Sequence, residues 1–371
     1  MKRCIFHYPA PIADVPGIGS ALRPKRMLAA FRAIGYEVEE VTGYSRERKE
    51  KIAAVRRKIQ SGTEYDFVYS ESVNDPTAMT DRDHIPRHPF MDFSFLALCK
   101  KSGIPTGLFY RDMHWRFPFY RDSVSWWKRA ILVPMFRRDL RSYRRVLSLI
   151  YFPSEAIHNY VMEGFPFRTL PPGGKLQEET LTRKRERRPV PGELHVFYVG
   201  SITGGVYDVR NLCAAVKDTA GVYLTICTPQ AQWETAREQY APVLCDRVRV
   251  VHRSSDQLAE LYEQADVFAC CLQSNEYTDL AMPIKVPESI CYGTPVMITE
   301  TIAAADLIRQ EGCGWPVAGS DRAMAELLAF LRDHPEEVAA KTRNTVDASP
   351  RHTWEARARQ VAEDLTNLHK E

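Results

Sequence analysis

The stretch AMPIKVPESICYGTPVMIT, residues 281–299, decides how this chain is read. PVMIT is a short apolar strand, KVPESICYG a short helix stopped at Gly293, and DVFACCLQS just upstream a second apolar strand. Pro287 has no N–H and a fixed φ, which suits the first helical turn. Lys285 and Glu288 stand three apart on one side of that turn. A helix start carries unpaired N–H groups and a positive dipole end, so it attracts an anion, and Lys285 adds a full charge there. Glu288 cannot favour a phosphate, but it can accept hydrogen bonds from the two hydroxyls of a ribose. Lysine for a diphosphate and glutamate for a ribose suits a nucleotide-sugar site. The same spacing also suits an i,i+3 surface ion pair.

The strand–helix rhythm extends through the whole chain. In its first half lie RCIFHY, GYEVEEVT, YDFVYSES, IPTGLFY, SLIYFPS and a short FRT, with helices between them, including one from Glu155 to about Glu163. The rhythm restarts with ELHVFYVGS, GVYLTICTP, VRVVHR and DVFACCLQS, and a helix from Trp354 closes the chain. Alternation of this kind predicts α/β architecture with mostly parallel sheets. The polar, basic stretch between, bounded by prolines, reads as a linker over 176–192. This gives an N-terminal domain over 1–175, a C-terminal domain over 193–350 and a terminal helical segment over 351–371. Ligands of such sheets bind at the carboxyl ends of the strands, here expected in a cleft between the domains.

Charge separates the halves. Residues 1–192 hold 34 Lys and Arg against 21 Asp and Glu; the remainder holds 16 against 26. The excess peaks over 101–150, with 11 basic and 3 acidic residues. Two electrostatically different domains imply two different partners. No run of about 18 apolar residues is present, which argues against a membrane span. The N-terminus has too short an apolar run for a secretory signal. The nine cysteines include no CxxC pair and lie mostly in apolar runs, as expected of reduced cysteines in a cytoplasmic protein.

PIKVPESICYGTPV resembles the donor-site segment of GT-B glycosyltransferases, P-x-K-x-x-E-x-x-x-x-G-x-P-V, at Pro283, Lys285, Glu288, Gly293, Pro295 and Val296. Other pieces follow in that family's order: PGIGSALRPKRMLAAFRAIGYEVEEVT, YFPSEAIHNYV, LPPGG, VFYVGSITGGVYDVRNLCAAV and the helix from Trp354. The resemblance implies two Rossmann-like doubly wound domains facing a cleft, with the C-terminal helix crossing back to the N-domain. It implies transfer of a sugar from a nucleotide-diphosphate donor, such as a UDP-sugar, to a lipid-linked or polysaccharide acceptor in bacterial surface glycan assembly. Lys285 and Glu288, with Met282 and Pro283 beside them, would bind the donor; neither metal nor other cofactor is expected. The pattern departs from E-x7-E, because Leu280 stands eight residues before Glu288 and Asp279 is one off register. Retaining and inverting outcomes both stay open. So do two other readings, a nucleotide-sugar epimerase on the same fold and a non-catalytic nucleotide-binding partner subunit of a transferase.

Further candidates surround this core. GSITGGVYD, 200–208, is a glycine-rich turn after a strand whose N–H groups could cradle phosphate at Thr203, Gly204 and Gly205. Arg253 ends VRVVHR and offers a fork for a diphosphate. In the N-domain, FYRDMHWRFP packs Arg111, Asp112, His114 and Trp115 together at the end of a strand. Asp112, or His114, is the expected catalytic base for an acceptor hydroxyl, with Arg111 and Trp115 on the acceptor side and Trp115 as a platform for a sugar ring. Gly17 and Gly19 form a loop facing acceptor or phosphate. Asp81 and Asp83 resemble a metal-binding D-x-D but sit in a polar loop, and His84 and His88 are separated by Pro86, so no metal site is expected. The segment 125–145 mixes tryptophans with arginines, suiting either peripheral contact with an anionic membrane on its inner face or a plain solvated helix. No nucleic-acid motif accompanies the charge.

Overall fold

A computed structural model describes residues 2–12, 19–203, 205–254 and 257–368. The chain divides into two units, residues 1–171 with 354–371, and residues 172–353.

The first unit runs β1 (Arg3–Tyr8), α1 (Gly19–Ala33), β2 (Glu37–Thr42), α2 (Ser45–Gln60), β3 (Phe67–Glu71), α3 (Met91–Lys101), β4 (Thr106–Phe109), α4 (Pro118–Ser123), α5 (Trp126–Val146), β5 (Leu149–Phe152) and β6 (Phe167–Thr169). Its sheet is parallel throughout, in the order β2-β1-β3-β4-β5-β6. The inner strands β3, β4 and β5 are buried end to end and β1 at all but its first residue, as a sheet covered on both faces must be. The predicted helix after β5 is instead a 3-10 turn, Glu155–Tyr160. The final helix of the chain, Trp354–Asn367, packs against α1 and the β3–β4 region. It comes so close to β4 that a Cβ on Gly107 would stand 3.0 Å from the Leu365 methyls and from the Tyr151 ring.

The second unit begins with α6 (Glu178–Glu186) and continues through β7 (Leu194–Val199), α7 (Arg210–Asp218), β8 (Val222–Cys227), α8 (Gln230–Tyr240), β9 (Val248–Val251), α9 (Ala259–Gln264), β10 (Val267–Cys270), α10 (Lys285–Cys291), β11 (Val296–Thr299), α11 (Ala304–Glu311), β12 (Gly314–Val317), α12 (Asp321–Asp333) and α13 (Pro335–Ala348); the closing helix is α14. Its parallel sheet has the order β12-β11-β10-β7-β8-β9. The strand order therefore reverses between β7 and β10, and the carboxyl ends of those two strands define the crevice where ligands of doubly wound sheets bind. Cores on both faces of this sheet include Leu224, Met297 and Leu328 on one side and Phe268, Val286 and Ile290 on the other.

The stretch 176–192 is not a free linker. Its helix α6 buries Thr180, Leu181 and Lys184, and Lys184 donates to the Ala265 carbonyl in front of β10. Removal from water drives the Lys184 amine down to about 7, with the Arg187 charge adding to the effect and Asp266 opposing it.

Candidate functional site

The loop joining β10 to α10 lies at the reversal point of the second sheet. It is tied by its own side chains: the Thr278 hydroxyl donates to the Gln273 carbonyl (2.7 Å), and Asn275 Oδ1 accepts the N–H groups of Tyr277 and Thr278. Asp279 accepts hydroxyl hydrogen bonds from Ser274 and Thr301, both at 2.9 Å, while Leu280 is buried. The acidic position of the E-x7-E pattern is thus filled by core, and the nearest carboxylate is held by two hydroxyls. Met282 and Pro283 follow, half-buried, and the Pro283 carbonyl accepts the Val286 N–H (3.0 Å) that opens α10.

Lys285 is the first residue of α10, and its Nζ lies 2.8 Å from Glu288 Oε2. Both side chains keep between a fifth and a third of their surface exposed, 28% and 21%. Behind Glu288 the rings of Tyr262 and Tyr292 stack at 4.3 Å. Burial, and then the Glu288 charge, push the Tyr262 hydroxyl well above its ordinary pKa; the same two causes lift Tyr292 to about 12. The Tyr262 hydroxyl is buried without a hydrogen-bond partner. Gly174 approaches from the start of the unit: its N–H donates to the His352 carbonyl (2.8 Å), and a Cβ there would stand 2.7 Å from the Pro287 carbonyl.

Arg253 lies beyond β9, exposed, with no carboxylate in ion-pair distance among the described residues. Its carbonyl accepts from the Cys227 thiol at the end of β8 (3.7 Å). Burial raises the Cys227 pKa, against the hydrogen bond to the Arg253 carbonyl and the charges of Lys285 and Arg253. The turn after β7 is partly spoken for. Gln232 Oε1 accepts the Ile202 N–H and the Ser201 hydroxyl, and Ser201 Oγ accepts the Thr203 N–H. Thr203, expected in a phosphate cradle, directs its N–H to Ser201 Oγ at 3.4 Å. Gly205, at φ +73°, is exposed with open space around its Cα, and Gly204 lies outside the described residues.

The first unit brings Arg111, Asp112 and His114 to the end of β4. Asp112 Oδ1 accepts the N–H groups of Met113 (2.6 Å) and His114 (3.0 Å), capping the 3-10 turn His114–Arg116. Its Oδ2 lies 3.7 Å from His114 Nδ1. Trp115 corrects the expectation of a sugar platform: it is buried, its ring stacks on Phe136 at 5.3 Å and 3°, and its Nε1 donates to the Tyr110 hydroxyl. Gly17 lies outside the described residues, and Gly19 begins α1. Asp81 accepts from Ser45, and Asp83 pairs with Arg87.

Arg111 belongs to a cluster that sequence reasoning missed. Its Nη2 is 3.9 Å from Oε2 of Glu71, which ends β3 and is fully buried. Arg23 of α1 stands 3.3 Å from the other oxygen of Glu71, with its guanidinium 3.4 Å over the Phe109 ring. Arg23 Nε and Nη1, Glu71 Oε2 and Arg111 Nη2 are all buried without hydrogen-bond partners. Arg23 and Glu71 stand 48 positions apart, and nothing in their local sequence marks them as neighbours.

Residues 193–334 match the family model described as Glycosyl transferases group 1. A search of curated proteins finds no match. Among solved structures, the fold is similar to sucrose-phosphate synthase from Thermosynechococcus elongatus (TM-score 0.62, 14% identity, 99% of this chain and 98% of that one). It is equally similar to HepE of Anabaena in complex with UDP (TM-score 0.62, 14% identity, 99% and 100%). WaaG, a glycosyltransferase involved in lipopolysaccharide biosynthesis, follows at TM-score 0.55 and 15% identity over 98% and 99%. At such identities the structures speak for the fold, which is that of GT-B glycosyltransferases, and the family match speaks for the unit that carries Lys285 and Glu288: residues 193–334 form a domain of the glycosyl transferases group 1 type.

Proposed function

We propose that the second unit binds a nucleoside diphosphate sugar, with uridine as the base, and that the sugar passes to a hydroxyl of a lipid-linked or polysaccharide acceptor in bacterial surface glycan assembly. The observation that carries the donor assignment is Lys285 at the first position of α10, paired with Glu288 one turn on, directly after the loop from β10 where the strand order reverses. In this reading Lys285 and Arg253 neutralise the diphosphate as it leaves, and Glu288 accepts the ribose hydroxyls. HepE, similar in fold, is described in complex with UDP-glucose, which supports a uridine donor here, and the description of WaaG supports a surface glycan.

The acceptor is read onto the first unit. Arg23, Glu71 and Arg111 offer unsatisfied donors and an unsatisfied acceptor together, as a polyhydroxylated ligand requires. Asp112 takes the proton of the attacking hydroxyl and becomes a neutral acid, while that oxygen bonds to the sugar and the nucleoside diphosphate leaves; His114 lies 3.7 Å from the carboxyl. The test is a thermal-shift series over nucleoside mono- and diphosphates, followed by a nucleotide-release assay with UDP-sugars and glycan acceptors. A diphosphate should raise the melting temperature more than the monophosphate, and release should depend on acceptor. No shift with any nucleotide would overturn the donor assignment; conversion of the sugar without nucleotide release would identify an epimerase.

A further inference from the structure

Helix α5 carries a surface that sugar transfer does not use. It holds seven Lys and Arg residues and a single acid, Asp139. Asp139 faces inward, where it accepts the Thr77 N–H (2.7 Å), and burial pushes its carboxyl up to about 6. None of the seven cations has a carboxylate within ion-pair distance among the described residues. Beside this uncompensated charge stand apolar groups in the open: Trp126 is 74% exposed, Trp127 53%, Ile131 52% and Phe90, next to Arg138, 67%. Trp127, Ile131, Pro134, Arg141 and Arg145 are all exposed and recur at helical spacing, so they form one outward stripe. The stripe is aromatic and aliphatic in its first two turns and basic in its last two.

We infer that this stripe docks the first unit on an anionic bilayer surface, with Trp126, Trp127 and Ile131 entering the headgroup–acyl boundary and Arg137, Arg141 and Arg145 lying among headgroup phosphates. Adjacent exposed tryptophans suit an interface that is apolar on one side and wet on the other. Cations whose charge no carboxylate neutralises select an anionic surface over a zwitterionic one. The apolar first turns offer a nucleic-acid backbone nothing to bind, which favours lipid over polyanion. No helix among the described residues is long and apolar enough to cross a membrane, so the contact is with the surface. The inference stands without the transferase reading; joined to it, it places the acceptor among lipid-linked glycans.

The test is cosedimentation of the full chain with vesicles of phosphatidylcholine alone and with about 30% phosphatidylglycerol, at two salt concentrations. Binding to the anionic vesicles should exceed binding to the neutral ones by more than about tenfold, fall with salt, and shift tryptophan emission to the blue. Trp126→Ala/Trp127→Ala/Ile131→Ser should weaken binding by about tenfold or more. Arg137→Gln/Arg141→Gln should weaken it about 25-fold, at about fivefold per charge. Both variants should keep the wild-type melting temperature and nucleotide response, since every altered side chain is exposed. Equal binding to both vesicle types, unchanged binding in either variant, or release from vesicles by RNA through a tighter complex would overturn the inference. Quenching of wild-type emission by brominated lipid probes the same insertion without any variant, and its absence would count against docking.

Discussion

Replacing Lys285 by alanine separates a ligand-binding cation from a structural one. Lys285 pairs with Glu288 at 2.8 Å, with both side chains partly in solvent. A helix pair of that kind is worth a few tenths of a kcal/mol and at most about 1. At about 2–4 °C per kcal/mol for a unit of this size, the variant without ligand should melt within about 4 °C of the wild type. A charge-assisted contact to a diphosphate contributes about 1.5–3 kcal/mol, so affinity for UDP should fall about 10- to 150-fold. With UDP at about 100 times the wild-type Kd, the wild type gains about 2.7 kcal/mol, or about 5–11 °C. A variant weakened about 30-fold would gain only about 0.9 kcal/mol under the same conditions, or about 2–4 °C. Titration calorimetry with UDP and UMP should also show the preference for the second phosphate shrinking. A wild-type response to UDP in the variant would refute the assignment, and so would a fall of more than about 5 °C without ligand, which would make the pair structural.

Asp112→Asn keeps an oxygen to cap Met113 and His114, so nucleotide-induced stabilisation should be unchanged while transfer drops about 10²- to 10⁴-fold; full turnover would remove Asp112 as the base. Gly174→Ala drives a Cβ to 2.7 Å from the Pro287 carbonyl inside α10, so it should cost about 1–3 kcal/mol in denaturant unfolding and weaken UDP binding together; an unchanged protein would contradict that contact. Lys184 has its amine driven down to about 7, so between there and its ordinary value the unfolded chain binds a proton that the folded one lacks, and stability should rise with pH across that window. Lys184→Met should flatten that slope and gain about 1–4 kcal/mol at neutral pH, read from urea midpoints at several pH values; identical slopes in both proteins would show that Lys184 is not the group responsible.

Alternation made the two sheets legible, because strands such as LIYF and VMIT are apolar at every position and bounded by turn residues. Lys285 and Glu288 were legible because their spacing acts within one helical turn. The segment between Thr299 and Trp354, which holds α11, β12, α12 and α13, was not. There β12 is four residues long with Pro316 inside it, and it survives as an edge strand, where a missing donor costs least. Helix α6 was hidden for a different reason. Its sequence is almost wholly polar, and its one buried cation gives no apolar signal at all. Trp115 misled because the ring that covers it, Phe136, arrives from α5 more than twenty positions later. Contacts between distant segments leave no trace in local composition, and the Arg23–Glu71–Arg111 cluster belongs to the same class.

The surroundings of Glu288 distinguish a site from a surface ion pair more sharply than the pair does. A phenylalanine at position 262 would stack on Tyr292 just as well and leave nothing unsatisfied. The tyrosine instead buries a hydroxyl without a partner and within reach of the Glu288 charge. An unmade buried hydrogen bond costs about 1–3 kcal/mol, several times the value of an exposed i,i+3 pair. Stability alone would therefore favour losing the hydroxyl and would be nearly indifferent to Lys285 and Glu288. The fold accepts local cost just where the strand order of the second sheet reverses, and a sequence consistent at other levels departs from consistency where it binds or reacts. If that reasoning holds, Tyr262→Phe should stabilise the ligand-free protein by about 1 kcal/mol and weaken UDP binding. A gain in stability with no change in affinity would leave the hydroxyl as a plain packing defect and Glu288 without support from behind.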